Sequence, residues 1–229
     1  MSIFLPATAT CPVCNATKEV ELAASVNADR RPDLREAILD GSFQAVACPK
    51  CDSPMRLPAR ITYLDVGRGQ WILMDSAGAR DDWAAGEAMA RGVYDEAFGP
   101  DAPEFSREIG ADLHARLVFG WPALREKVLC QSLGLDDTML ELLKIAVMRD
   151  VPGAPIAEAT ELRLVGGDDE TLRFAWFNAL TEEQLANLEV PRDAYDSLEE
   201  EPEGWDELRA NFKDSLFVDL RRIATAPAR

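Results

Sequence analysis

Histidine is almost absent from the sequence: the chain holds one, His114. A mechanism that needs two histidines, or a histidine-rich metal site, is therefore excluded. The motifs G-x-S-x-G and H-E-x-x-H and a Walker-type glycine loop are also absent. We expect His114 to lie at the surface, on the polar face of a strand, and we find no catalytic machinery of these kinds in the sequence.

Long apolar runs are missing as well. No segment approaches the roughly 20 residues that a membrane-spanning helix requires. The first residues, MSIFLPATATC, lack the charged start and long apolar stretch of a signal peptide. We therefore expect no membrane partner and a cytoplasmic location.

Basic residues are outnumbered, since 24 Lys and Arg stand against 41 Asp and Glu, giving a net charge of −17. This balance disfavours sequence-independent binding to nucleic acid, which depends on Lys and Arg displacing counterions. The excess acid lies mainly in the C-terminal half, while residues 1–76 are nearly neutral. A group of basic residues in this part of the chain leaves open the alternative that it contacts nucleic acid, with Tyr63 or Trp71 stacking on the bases. The simpler interpretation is that these basic residues form a solvated surface. This group comprises Arg30, Arg31, Arg35, Lys50, Arg56 and Arg60.

Cysteine carries the strongest signal. Four of the five cysteines fall in two copies of one pattern, CPVC at Cys11 and Cys14 and CPKC at Cys48 and Cys51. A two-residue spacer lets both sulfurs of a tight turn face one tetrahedral ion at about 2.3 Å, so two such pairs predict a four-thiolate zinc site. The residue after such a knuckle usually needs a left-handed backbone, which Gly, Asn and Asp adopt most easily. Asn15 and Asp52 stand at these positions in the two copies.

Three other interpretations of these cysteines remain. A redox pair or an iron–sulfur site is possible in principle, but a thioredoxin-like CxxC begins a helix, whereas the alternation after both pairs predicts strands. Structural disulfides are less expected because the cytosol keeps thiols reduced. Buried, inert thiols are the remaining alternative. We favour structural zinc, which would supply roughly 10–16 kcal/mol of folding energy to a module whose own core is marginal.

The two motifs, together with the later stretch LVFGWPALREKVLCQSLGLDDTMLELLK, resemble the CpXC domain family, over about residues 10–149. The resemblance implies a metal-binding domain without an assigned activity. Cys11, Cys14, Cys48 and Cys51 match the family motifs residue by residue. The sequence departs from the common knuckle pattern at Asp52, where Gly is frequent.

Periodicity and turn signals predict an α+β fold in three parts. Residues 1–76 form a zinc-ribbon-like β module with an inserted helix, residues 77–155 continue the CpXC-like region with helices and a strand, and residues 156–229 form an acidic hairpin-plus-helix region. The predicted helices cover residues 32–40, 82–98, 122–133 and 138–149, with further short helices from residue 181 and near residues 205–212. The predicted strands cover residues 20–24, 43–47, 55–63, 70–74, 113–119, 161–165, 171–177 and 216–220. We expect a loop over residues 98–106, a linker around residues 152–155 and a solvated acidic connector over residues 199–203.

Two functional hypotheses follow. The favoured one is a zinc-binding protein without catalytic activity, with one structural zinc ion and a protein partner of unknown identity; an interaction role for zinc ribbons is an analogy between folds. The alternative is a thiol redox or metal-handling enzyme that uses one of the CxxC pairs. Cys130 is expected in the core, and the carboxylate pairs that begin at Asp81, Asp136 and Asp168 are expected to serve as caps or turns.

Overall fold

A computed structural model describes residues 1–57, 59–150, 159–200 and 202–224 of the chain. These residues form ten strands and eight α-helices, which confirms the predicted α+β class. The strands are β1 (Ile3–Thr10), β2 (Thr17–Asn27), β3 (Ala45–Ala47), β4 (Pro54–Arg56), β5 (Ile61–Asp65), β6 (Gln70–Asp75), β7 (His114–Phe119), β8 (Thr160–Gly167), β9 (Thr171–Asn178) and β10 (Gln184–Pro191). The helices are α1 (Pro32–Asp40), α2 (Trp83–Phe98), α3 (Glu104–Ala111), α4 (Trp121–Ser132), α5 (Asp137–Asp150), α6 (Arg192–Glu200), α7 (Asp206–Ala210) and α8 (Leu220–Ala224).

The largest sheet has five strands in the order β1-β2-β5-β6-β7. Its pairs alternate between antiparallel (β1 with β2, β5 with β6) and parallel (β2 with β5, β6 with β7). Pro6 lies within β1, an edge position where a missing N–H is tolerated. The sheet includes β7 and so continues past residue 76. The predicted division into three parts stays a prediction, and its linker over residues 152–155 lies outside the described residues.

Both faces of this sheet are covered. Ile72 and Met74 on β6 pack in a core with Leu34 of α1 and Leu124 of α4. The alternate residues of the same strand point to the opposite face, where Trp71 belongs to a second core. A strand that is buried on both faces reads as continuously apolar, as the sequence WILM of β6 does.

A separate three-stranded antiparallel sheet, in the order β10-β9-β8, forms a third core together with α5 and α6. Leu162, Leu164, Phe174 and Trp176 are buried there, as the predicted hairpin requires. The helix over residues 32–40 is confirmed with its predicted bounds, and Gly41 ends it with a left-handed φ of 81°.

Other sequence predictions are wrong, and strand pairing and an Asx turn explain two of them. The strand predicted over residues 55–63 is divided: β4 pairs with β3, whereas β5 belongs to the five-stranded sheet. The helix predicted to start at residue 181 is replaced by a turn before β10. The side-chain carbonyl of Asn178 accepts the N–H groups of Leu180 and Thr181, both at 2.9 Å, and so closes an Asx turn.

Segments after residue 98 hold further differences. The loop expected over residues 98–106 ends early because α3 begins at Glu104. No strand forms over residues 216–220; instead the carboxylate of Glu87 accepts the N–H of Leu216 at 2.6 Å. The sequence TMLE from Thr138 to Glu141 is typical of a capping box at the start of a helix. The structure differs, because Asp136 accepts the Thr138 N–H at 2.9 Å and Glu141 is buried elsewhere. Residue 201 of the predicted acidic connector lies outside the described residues.

A network of ion pairs connects α4, α5, β8 and the segment before α8. The ammonium of Lys144 lies 2.7 Å from both Glu126 and Glu141, all three fully or almost fully buried. Along the whole network, basic and acidic side chains alternate in the order Arg116, Asp137, Lys127, Glu141, Lys144, Glu126, Arg163, Glu161 and Arg80. Asp219 also forms an ion pair with Arg163.

Within the described ranges, no helix has the length and apolar character needed to cross a membrane.

Candidate metal centre

The two Cys-Pro-x-Cys motifs form the turns of two hairpins. The first, over residues 11–16, connects β1 to β2, and the second, over residues 48–53, connects β3 to β4. The backbone hydrogen bonds match: the N–H of Cys11 donates to the carbonyl of Ala16, and that of Cys48 donates to the carbonyl of Ser53, both at 2.9 Å. The two hairpins thus present their cysteines in the same local geometry.

The residues after the motifs adopt the predicted backbone. Asn15 and Asp52 both have a φ of 57°, in the left-handed region. Their N–H groups donate to the carbonyls of Cys11 and Cys48, at 3.0 and 3.1 Å. Because Asn and Asp tolerate this region better than most other residues, both turns close with limited strain.

The four sulfurs converge on one point. All four lie within 4.8 Å of one another, and none of the cysteines forms a disulfide. The sulfur of Cys11 is 3.7 Å from that of Cys51, and the sulfur of Cys14 is 3.5 Å from that of Cys48. Four sulfurs placed at about 2.3 Å around a tetrahedral ion are about 3.8 Å apart. The sulfur positions therefore fit a four-thiolate site, although ligation itself stays a prediction.

The cluster is partly enclosed by apolar side chains. Cys11 and Cys48 are buried with Met55 and Leu57, whereas Cys51 is exposed. The N–H of Lys50 donates to the sulfur of Cys48 at 3.4 Å. The hydroxyl of Ser53, which the sequence analysis missed, lies 3.2 Å from the sulfur of Cys51. Its position two residues after the motif is the signal that could have identified it.

The thiols of Cys51 and Cys14 differ in pKa. Hydrogen bonding from the Ser53 side chain, with help from its backbone, lowers the pKa of Cys51 to about 6. A backbone hydrogen bond at Ala16 lowers the pKa of Cys14, but burial and the neighbouring sulfurs outweigh it and raise the pKa to about 12. Negative charges this close together repel, so a cation is needed for all four thiols to ionise.

The other sequence candidates lie elsewhere. Cys130 is buried in the core around α5, where its sulfur lies 3.3 Å from the carbonyl of Leu135, as expected of a core residue. His114 is exposed, as expected. Tyr63 and Trp71 are buried, so they are not placed to stack on nucleic-acid bases.

The carboxylate pairs and the basic group have local roles. Asp136 caps α5, and Asp168 accepts N–H groups in the β8–β9 turn, as predicted. Asp137 differs, because its carboxylate is enclosed in the ion-pair network. Within the basic group, Arg35 pairs with a carboxylate of this chain, and Arg31 and Arg60 do the same.

Among the described residues, the four motif cysteines are the one group of three or more His, Cys, Asp or Glu side chains close enough to hold an ion. The arrangement defines an α+β protein with a zinc-ribbon-like cysteine module. A family profile described as CpXC protein matches residues 9–144, which is more than half of the chain. The chain belongs to the CpXC family, and together with the cysteine cluster this membership points to metal binding. No curated protein and no solved structure matches the chain.

Proposed function

We propose that the protein binds one structural zinc ion through Cys11, Cys14, Cys48 and Cys51 and serves as a non-catalytic protein-interaction or adaptor module. The observation that carries the proposal is the convergence of the four sulfurs within 4.8 Å of one another. Tetrahedral sulfur sites select zinc or iron–sulfur clusters, and paired knuckles of this kind are typical of structural zinc.

The zinc would act as a cross-link between two hairpins that share a small apolar cluster. Around the cysteines, the buried cluster consists of small or medium side chains, including Ala9, Met55 and Leu57. A structural zinc site contributes roughly 10–16 kcal/mol at neutral pH, and because the unfolded chain lacks the site, this is folding energy. The ion would therefore hold the cysteine module together.

Four thiolates leave no coordination position for water or substrate, so such a centre does not act as a catalyst. A binding role is supported by analogy with other zinc ribbons.

Metal analysis of protein purified without added zinc tests the metal assignment. We expect about one zinc per chain, bound by four thiolates. Cys48→Ser should lose the zinc, whereas Cys130→Ser should retain it, because Cys130 lies in a different core. Zinc-free wild-type protein, or zinc retained fully by Cys48→Ser, would contradict the assignment.

The alternative, a thiol enzyme, has one observation in its favour: Cys51 is exposed and hydrogen bonding lowers its pKa to about 6. A disulfide-reduction assay on the zinc-loaded protein separates the two functions. The adaptor proposal predicts no turnover above that of Cys51→Ser. Catalytic turnover that depends on Cys51 would favour the enzyme.

The interaction role needs a partner that depends on the folded module. We expect affinity capture with the zinc-loaded wild-type chain and with Cys130→Ser to retain the same protein, and Cys48→Ser to lose it. Retention by all three chains, or by none, would count against a role for the cysteine module in binding.

A further inference from the structure

A cavity of about 160 Å³ lies beside the start of α4, and none of the four motif cysteines lines it. Its apolar lining includes Phe43, Trp121 and Phe177. Three charged side chains share this lining: Arg56 from β4, Arg125 from α4 and Glu182 from the turn between β9 and β10. A cavity of this size accommodates a ligand about as large as benzene.

The two guanidinium groups are held by backbone carbonyls and not by carboxylates. Arg56 donates to the carbonyls of Phe43 and Gly41, at 2.7 and 2.8 Å. Arg125 donates to the carbonyl of Leu39 at 2.6 Å and to that of Val165 at 3.4 Å. A guanidinium has five N–H donors, so both retain donors that these contacts do not use. In the described part of the chain, neither has a carboxylate partner within ion-pair distance.

Glu182 is held in place by an unusual backbone. Its φ is 59°, a left-handed conformation that glutamate rarely adopts. The carboxylate accepts the backbone N–H of Trp121 at 2.9 Å. Gly120, with a φ of 83°, allows this approach, because a Cβ there would lie 2.5 Å from the carboxylate oxygen. Among the described residues, no cation lies within ion-pair distance of this carboxylate.

The surroundings of the cavity shift the pKa of each of the three charged side chains. Burial lowers the pKa of Arg56 and of Arg125. The charge of Arg125 also lowers the pKa of Arg56, whereas Asp40 attracts Arg125 and opposes the effect of burial there. Burial also raises the pKa of Glu182, against the attraction of Arg56 across the cavity. Arg125 and Glu182 are half-buried, whereas Arg56 is exposed at the rim. Half-buried charges without a direct partner are unfavourable unless something else pairs with them. A ligand with complementary charges would supply those partners.

We propose that this cavity binds the carboxylate, the adjacent N–H group and the apolar side chain of an α-amino acid, either free or at the carboxyl terminus of a peptide. The guanidiniums of Arg56 and Arg125 bind the ligand carboxylate. The carboxylate of Glu182 accepts the ligand N–H, and the ring of Trp121 contacts the ligand side chain. Guanidinium–carboxylate pairs and charge-assisted hydrogen bonds are the strong interactions available for this recognition.

A neighbouring cavity of about 280 Å³ gives room for a longer ligand. It shares Arg56, Trp121, Thr181 and Glu182 with the first cavity and includes the exposed Leu180. The preceding residues of a peptide would occupy this second space, whereas a free amino acid would fill the first cavity alone.

Calorimetric titration of the zinc-loaded, full-length protein tests the proposal with three probes. L-leucine represents a free amino acid and Gly-Gly-Leu a peptide terminus, while L-leucinamide lacks the carboxylate. We expect saturable binding of L-leucine, of Gly-Gly-Leu or of both, and binding at least about tenfold weaker for L-leucinamide. Tighter binding of one carboxylate probe identifies the source. If neither L-leucine nor Gly-Gly-Leu binds saturably at concentrations up to roughly 10 mM, any Kd lies above the millimolar range and the proposal is overturned.

Variants locate the binding site. Glu182→Gln keeps an oxygen to accept the Trp121 N–H but removes the charge, and Arg125→Met removes one guanidinium. Each should weaken binding of the preferred probe about tenfold or more. Arg30→Met is the matched control, because Arg30 is exposed and does not line the cavity. Thermal unfolding confirms that each variant is folded. Unchanged affinity in folded Glu182→Gln and Arg125→Met would overturn the assignment.

Discussion

Asn15 and Asp52 link the sequence to the metal centre at the scale of single residues. Both follow a CxxC pair, and both have the left-handed φ of 57° that the turn requires. This conformation is a local property, set by steric contact between a residue and its own backbone. It could therefore be predicted from residue type and position, and the same holds for the convergence of each cysteine pair.

The φ of Asp52 gives a prediction about stability. Asp52→Val should lower the free energy of unfolding by about 1–2 kcal/mol, because a β-branched side chain fits the left-handed region poorly. Asp52→Gly should be nearly neutral, within about 0.5 kcal/mol. Chemical denaturation of the zinc-loaded protein measures both. Lys50→Val, in the same knuckle but without a positive φ, is the control and should have little effect. Equal losses for Val at both positions would contradict the backbone explanation.

Other residue roles could not be predicted because they depend on distant partners. Glu141 looks like part of a capping box in the sequence, yet its carboxylate binds Lys144 and the N–H of Leu220. Glu182 looks like the start of a helix, yet it caps the N–H of Trp121 from 61 residues away. No local spacing indicates either contact.

At the scale of elements, periodicity predicted those that have one buried face or clear end signals. The helix from Pro32 ends at Gly41 as expected, and the hairpin of β8 and β9 buries its predicted face. The sequence analysis did not predict β1, because Pro6 interrupts its pattern. It did not predict β10 either, because the first four residues of that strand are all exposed and show no alternation. Both strands lie at sheet edges, where a strand pairs with one neighbouring strand only and its sequence pattern is weak.

The hairpin of β8 and β9 contains a matched pair of arginines. Arg163 is buried and binds Glu126, Glu161 and Asp219, whereas Arg173 is exposed and binds Asp168. Arg163→Met should lower the free energy of unfolding by about 3–5 kcal/mol, because Asp219 loses its ion-pair partner and Glu126 and Glu161 each lose one of two. Arg173→Met should cost less than about 1 kcal/mol.

Chemical denaturation of the two variants provides the measurement. Arg173→Met serves as the control, because it removes an arginine from the same hairpin without disturbing the buried network. Similar values for the two variants would mean that the buried network contributes no more than a surface ion pair.

At the scale of the whole molecule, the sequence predicted the α+β class and a cysteine module with an inserted helix. It did not predict that β7 would complete the same sheet as β1, because pairing between strands so far apart in sequence depends on the packing of α1, α2 and α4 around them. The separate cores explain why a metal effect should remain local. The cysteines lie in a small cluster of their own, and β8, β9 and β10 belong to another.

Removing the metal should therefore affect one part of the chain most. Hydrogen exchange after treatment with a zinc chelator should increase over residues 9–24 and 45–57, while β8 and β9 remain protected. The reason is that the small cysteine cluster loses its cross-link and the other cores keep their apolar contacts. Unchanged exchange around the cysteines, or equal loss of protection in β8 and β9, would contradict this expectation.

X-ray absorption at the zinc edge, on protein purified without added metal, tests the central claim most directly. The account predicts four sulfur neighbours at about 2.3 Å and no nitrogen or oxygen ligand. A zinc ion with nitrogen or oxygen neighbours, or protein that carries no zinc while its four motif cysteines remain reduced and folded, would contradict the account.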